Sequence, residues 1–370
     1  MKFSNIKEII SNAKKGKMFI LVDDEYRENE GDLIIPANKI NSKSINFMAK
    51  HGRGLICLTL CKNQANKLNL ELMSSRNITK SKTAFTISID AKKGITTGIS
   101  AHDRAKTIKT AIKKKVTSKE IVSPGHIFPI VAKNGGVLVR AGHTEASVDI
   151  SKLSNCGSSA VICEIMNSDG TMAKGKQLFS FAKKHKLKIG KINDLIAYRL
   201  NREKLVKLKR TSKIKIYKNS YKIKVFENLL DGSEHFALIK GEINKSKNIR
   251  VRVIASNTLK NYLIGEKLPN AFNKTINYFK NYKNCVLVFI RDTNLKSVSE
   301  TLKRYHYKSF FKNNHEQLIK NYGIGAQIIK SLNIKNMILV TRSRKRVVGL
   351  QGYGIKIVKQ DIIKWPKKFV

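Results

Sequence analysis

Residues 23–32, DDEYRENEGD, place six carboxylates and one arginine in ten positions, directly after the apolar run MFILV. Like charges this dense raise one another's pKa unless a cation or a basic substrate group neutralises them. Two outcomes satisfy that physics: a solvated acidic loop, or a site for a divalent ion. In a chain with only 26 Asp and Glu against 73 Lys and Arg, concentrating acids here favours the second. Gly31 permits the tight turn that several converging side chains need.

A second segment, GGVLVRAGHTEA (135–146), is a glycine-flanked turn leading into a helix that begins near His143. A helix N-terminus with free N–H groups is a phosphate site, to which Arg140 adds a charged fork and Thr144 a hydroxyl. His143 is either a metal ligand through one ring nitrogen or a satisfied polar residue. SPGHIFPI (123–130) presents His126 after a Pro-Gly turn, and VICEIMNSDGTMA (161–173) sets Glu164 inside an apolar strand. A carboxylate so placed faces a functional cleft, as a general acid or base, or else faces water at a strand edge. Cys57, in GLICLTL, is by default a small core residue.

The elements that must position these groups alternate between apolar runs and helix-like stretches up to about residue 200. Ser4 caps a helix that ends at Gly16, and MFILVDD follows as a buried strand. Further strands are expected at 55–60, 84–90, 126–132 and 160–166. The chain of 370 residues exceeds twice a typical ~150-residue domain, so two domains are expected. The boundary is placed in the basic stretch NREKLVKLKRTSKIKIY, giving one domain at 1–203, a linker at 204–218 and a second domain at 219–370. Both are expected to be α/β, the first a mixed sheet with helices packed on it.

The net charge of +47 suggests a polyanion partner. The excess is mostly Lys spread along the chain with Ile and Asn, as an A/T-rich coding bias produces, so no nucleic-acid partner is expected. Five cysteines without a CxxC pair argue against a disulfide framework or a zinc knuckle. No apolar run is long enough for a signal peptide core or a membrane span, so a cytoplasmic protein is expected.

Taken together, DDEYRENEGD, HGRGLICL, TTGISAHDR, PGHIFP, GGVLVRAGHTEA, CEIMNSDGTMA and HKLKIGKINDLIAYR make residues 1 to about 203 closely resemble 3,4-dihydroxy-2-butanone 4-phosphate synthase, the riboflavin-pathway lyase. The resemblance implies a Mg²⁺- or Mn²⁺-dependent conversion of D-ribulose 5-phosphate to 3,4-dihydroxy-2-butanone 4-phosphate and formate. It further implies that Glu28 and His143 are metal ligands. Arg27, Glu28, Asp32, Arg140, Ala141, Gly142, His143, Thr144 and Glu164 then correspond to substrate-binding positions, and His126 and Glu164 to those essential for catalysis. Asp23, Glu25, Glu30, Cys57, Thr97 and Asp103 are supporting candidates. A homodimer is a family expectation.

Residues from about 220 onward are similar to a diverged GTP cyclohydrolase II domain, through HFALIKGEI, NIRVRV, KNYGIGAQIIKSLNIKNMILVT and VGLQGYGIKIV. That family's catalytic zinc needs three cysteines. Residues 252–267, RVIASNTLKNYLIGEK, contain none, and Cys285 is the only cysteine beyond residue 200. RDTNLKSVSETL stands where the family has an arginine- and glycine-rich segment, and TRSRKR (341–346) where it has a TNNP-like one. No zinc and no GTP hydrolysis are therefore expected. The second domain is left as a structural partner of the synthase, a binder of a nucleotide or flavin-pathway ligand, or a polyanion site. A different-class alternative for the whole chain is a regulatory or binding protein with a relic synthase domain.

Overall fold

The structure is a computed structural model, and it describes residues 2–24, 27–74, 83–217, 219–243, 248–256, 269–291, 315–342 and 353–363. It divides into two compact units, Met1–Tyr198 and Arg199–Val370.

In the first unit, α1 (Ile6–Lys14) leads to β1 (Phe19–Val22), whose four residues are all buried. The expected Ser4 cap is displaced by one residue: the Asn5 side chain accepts the Glu8 N–H at 3.0 Å, an arrangement asparagine makes at least as well as serine. The chain then forms β2 (Gly31–Pro36), α2 (Ser42–Phe47), β3 (Cys57–Leu60), α3 (Lys62–Lys67), β4 (Ile89–Ala91) and α4 (Ala101–Ala111). It closes with β5 (Ile121–Val131), α5 (His143–Leu153), β6 (Ser159–Glu164), α6 (Lys176–Lys184), β7 (Lys188–Lys191) and α7 (Ile192–Arg202).

Seven strands form one sheet in the order β4-β5-β3-β6-β2-β1-β7. Pairing is mixed: β1 runs parallel to β7 and β3 to β5, whereas β2 is antiparallel to both neighbours. Alternate strand residues such as Ile20, Leu33, Leu58 and Val161 pack with Ile45 of α2, Ile108 of α4 and Leu178 of α6. The other face receives α5 and α1, with Ile9 and Leu21 packed on Gly190. The functional segments thus meet where β1 and β6 end and β2 begins, beside the start of α5.

The second unit carries β8 (Val206–Ile216), β9 (Asn219–Asn228), β10 (Glu234–Lys240), β11 (Ile249–Ala255), α8 (Pro269–Lys280), β12 (Cys285–Ile290), α9 (His315–Ser331), β13 (Asn336–Thr341) and β14 (Lys356–Ile362). Its sheet runs β14-β13-β11-β12-β10-β9-β8. The expected linker at 204–218 is corrected here: Val206–Ile216 is a strand that pairs antiparallel with β9 from Val206 opposite Asn228 to Ile216 opposite Asn219. Val206, Leu208, Ile214 and Ile216 fall on alternate positions, and that period of two fits a strand despite the basic residues between them. Among the described residues, no helix is long and apolar enough to cross a membrane.

Candidate active site and its metal-ligating group

Asp23 organises the acidic loop. One of its oxygens accepts the Glu30 N–H at 2.9 Å; the other accepts the Glu28 N–H at 3.2 Å and the Arg27 guanidinium at 2.7 Å. The same Arg27 nitrogen reaches Glu28 Oε2 at 2.6 Å, so one cation serves both acids. Glu30 is pushed up by its partial burial and by Glu28, and lies 3.9 Å from Lys174 Nζ. Asp24 turns away and accepts from the Asn193 amide at 2.7 Å. Glu25 lies outside the described residues.

Asp32, at the start of β2, sits in register opposite Glu164 at the end of β6. It is 3% exposed, and burial followed by the neighbouring Glu164 pushes its carboxyl well above the usual range. Glu164 Oε2 accepts the Leu55 N–H at 2.9 Å. The adjacent Gly54 is required by space: a Cβ there would lie 2.6–2.7 Å from the Glu164 carboxylate and backbone. Cys57 and Cys163 are buried thiols pushed upward by that burial, which fits the core role expected of Cys57.

His143 opens α5 and is buried. Its Nε2 lies 3.2 Å from the Leu21 carbonyl oxygen, which can only accept, so Nε2 carries the proton and Nδ1 keeps its lone pair. Nδ1 is 3.8 Å from Asp32 Oδ1, and burial holds the ring below its ordinary pKa, hence neutral near pH 7. Ligand atoms of Asp23, Glu28 and His143 lie within 4.8 Å of one another, the only such trio of His, Cys, Asp or Glu among the described residues.

The start of α5 has no side-chain cap at Gly142, whose own N–H donates to the Arg140 carbonyl at 2.9 Å, so the open N–H groups of the helix start are those of its first turn, from His143 and Thr144. Ala141 and Thr144 are buried beside it. Arg140 is held by Glu145 at 2.6 Å and by Thr83 Oγ1 at 3.0 Å, which fixes its guanidinium at the mouth of that turn.

His126 lies on β5, separated from the Glu164 strand by β3. Its Nδ1 is 2.7 Å from Asp90 Oδ2, and its N–H donates to Asp90 Oδ1 at 3.1 Å. Asp90 was not among the residues the sequence singles out, although it is the acid that ends the apolar segment AFTISID. The Leu55 N–H that grips Glu164 carries no sequence signal at all. Of the two other supporting candidates, Asp103 is buried in the first turn of α4, whereas Thr97 is exposed and the hydroxyl bonded to Asp103 belongs to its neighbour Thr96.

In the second unit Cys285 is fully buried in β12, and burial pushes its thiol up to about 11, far from the thiolate a zinc ion requires. The loops read as departing from the cyclohydrolase pattern, at 257–267, 292–302 and 343–346, lie outside the described residues.

Comparison with known proteins follows this division. Residues 7–198 match the family model of 3,4-dihydroxy-2-butanone 4-phosphate synthase, and residues 206–361 that of GTP cyclohydrolase II. A 3,4-dihydroxy-2-butanone 4-phosphate synthase of Photobacterium phosphoreum is 41% identical over 368 residues, covering 97% of this chain and 99% of its own. The crystal structure of RibBX from A. baumannii, a two-domain 3,4-dihydroxy-2-butanone 4-phosphate synthase, is 36% identical and superposes with a TM-score of 0.82 over 98% of this chain and 100% of that one. A further synthase structure, in complex with two magnesium ions, is 36% identical and covers 54% of this chain and 98% of its own with a TM-score of 0.52. With both units accounted for and the acidic and histidine segments in place, the chain belongs to the 3,4-dihydroxy-2-butanone 4-phosphate synthase family of lyases, joined to a cyclohydrolase II-like domain.

Proposed function

We propose that the first unit converts D-ribulose 5-phosphate to 3,4-dihydroxy-2-butanone 4-phosphate and formate, with Mg²⁺ or Mn²⁺ held by Glu28 and His143 and with Asp23 as a third ligand. The observation that carries this reading is the convergence of those three side chains beside the buried Asp32 and Glu164. Carboxylate oxygens and a neutral imidazole form a donor set that suits either ion. Bound there, the metal would polarise the substrate carbonyl and acidify its neighbouring C–H.

The chain's own groups divide the remaining work. The uncapped first turn of α5, at His143 and Thr144, receives the phosphate, with the preceding segment Arg140 to Gly142 shaping its mouth. Asp32, whose carboxyl burial and the neighbouring Glu164 push well above the usual range, serves as the proton donor to a sugar oxygen. Glu164, anchored through Oε2 by Leu55, takes and returns protons at Oε1. His126, fixed at Nδ1 by Asp90, moves protons through Nε2. The four-carbon ketone phosphate and formate together have the composition of the five-carbon sugar phosphate, so the water lost with the C1 hydroxyl is balanced by the one taken up on release of formate, and no oxidant is needed. The enzyme acts as a homodimer, which light scattering of the purified chain checks.

The second unit does not hydrolyse GTP, because its one cysteine is a buried thiol. Formate release from D-ribulose 5-phosphate with and without Mg²⁺, beside GTP turnover with added Zn²⁺, tests both statements. Formate from the sugar alone is expected; no formate would overturn the first, and GTP turnover the second.

A further inference from the structure

The segment between β4 and α4 is tied down by a single buried carboxylate. Asp103, third residue of α4 and 2% exposed, directs one oxygen to the Thr96 hydroxyl at 2.7 Å and to the N–H groups of Thr96 and Gly98 at 3.2 Å. Its own N–H donates to the Ser100 hydroxyl at 3.0 Å, which closes the knot from the helix side. These hydrogen bonds, the Thr96 hydroxyl first, hold the Asp103 carboxyl down at about 2, so it stays ionised across the working pH range.

The knot fixes Gly98, and Gly98 covers the His126 ring. Gly98 has φ +90, and a Cβ built on it would lie 2.6 Å from His126 Nδ1 and overlap Asp90 Oδ2. The glycine backbone therefore lies directly against the Asp90–His126 hydrogen bond. From the same helix, the Thr107 hydroxyl accepts the Ala91 N–H at 2.9 Å and so fixes the residue after Asp90. The His126 side chain is 40% exposed, and among the described residues its Nε2 has no partner. The ring is thus clamped on one edge and open on the other.

We propose that Asp103 is a positioning residue for His126: through Thr96 and Gly98 it holds the backbone that presses the imidazole onto Asp90 and keeps Nε2 aimed outward. This rests on the reading of His126 as a proton-transfer group. Asp103 touches neither substrate nor reacting atoms, and acts only by fixing the ring that does. All three donors point at one oxygen, so a side chain that keeps a single oxygen there retains the clamp without the charge.

The experiment is steady-state formate release by Asp103→Ala, Asp103→Asn, His126→Ala and the double variant Asp103→Ala/His126→Ala in the full-length chain. A displaced proton-transfer group is expected to lower kcat about tenfold or more in Asp103→Ala with KM within about twofold, since misplacement by ~1 Å costs up to a hundredfold. Asp103→Asn is expected to recover most of that loss. In the double variant the Asp103 substitution should cost nothing further, because its object is gone. A double variant slower than His126→Ala by the full Asp103→Ala factor, or an Asp103→Ala enzyme with wild-type kcat, would overturn the proposal. A His126→Ala enzyme at wild-type rate would instead overturn the reading of His126. Thr96→Val, which removes only an exposed residue's hydroxyl, is the second variant should Asp103→Ala fail to fold; a loss of kcat that disappears in the His126→Ala background is expected, and an unchanged kcat counts against the clamp. The ¹H–¹⁵N signal of the His126 Nδ1 proton gives a readout independent of turnover. It should persist in Asp103→Asn and shift or broaden in Asp103→Ala, and an unmoved signal there would also overturn the clamp.

Discussion

Both units are built on seven-stranded sheets, yet they differ in what they bury. The first buries Asp23, Asp32, Asp90, Asp103, His143, Glu145 and Asp149; among the described residues of the second, His235 and Arg252 are the only buried ionisable side chains besides Cys285 and tyrosines, and no carboxylate is buried. Burying a carboxylate costs several kcal/mol unless hydrogen bonds or cations compensate. Asp23, Asp90 and Asp103 have such compensation, from backbone N–H groups, Arg27, His126 or Thr96, whereas the Asp32 carboxyl is pushed upward instead. Expensive charge has been kept where bonds are made and broken, and the second unit retains a scaffold without it.

The sharpest way to break this contrast is at the metal-ligating trio. Glu28→Gln removes a charge without removing volume and should lower formate release about a thousandfold, the rate equivalent of ~4 kcal/mol of lost metal-ion stabilisation, with circular dichroism unchanged. A wild-type rate would remove Glu28 from the ligand set. Asp32→Asn acts on stability in a pH-dependent direction. Because the folded state raises the Asp32 pKa, ionising it costs stability as pH rises above the unfolded value near 3.8. The amide should therefore be more stable than wild type by about 1 kcal/mol or more at pH 8, and the difference should shrink toward pH 4 in urea titrations. The same variant should lose turnover, since the donated proton is gone.

Smaller effects are expected at the thiols. Cys57→Ser places a hydroxyl in a fully buried strand and should cost about 1–2 kcal/mol of stability with kcat within about twofold. A large rate loss at unchanged stability would move Cys57 into the machinery. Last, loading the chain with Zn²⁺ should leave GTP turnover at zero and bind no zinc at Cys285, checked by metal analysis after gel filtration; bound zinc in the second unit would erase the contrast altogether.

How far the molecule was legible in its sequence follows from the range of the interactions. Local chemistry was readable: the acidic loop after an apolar strand, the turn into α5 at His143, and a missing set of thiolates all lie in short segments. The fold class was readable from alternating apolar runs. What was not readable depends on register between distant strands. The pairing of Asp32 with Glu164, the Leu55 N–H on Glu164 and the Asp90 clamp on His126 link residues 36 to 132 positions apart, and no local spacing encodes them. The strand Val206–Ile216 reads as a linker in sequence because its charge masks its period of two. Thr97 and Thr96 are indistinguishable until the loop conformation decides which hydroxyl turns toward Asp103.

That same strand has a consequence for the behaviour of the chain in a crowded solution. β8 is the outer member of its sheet, eleven residues long and exposed over nearly its whole length, so its outer backbone groups are a template onto which another chain could add. Lys207, Lys209, Arg210, Lys213 and Lys215 line that edge, and a second copy approaching it brings the same array. Like charges facing across a new ladder are unfavourable. These basic side chains thereby act as gatekeepers against fibrous growth, and neutralising them should make the protein aggregate before it loses activity.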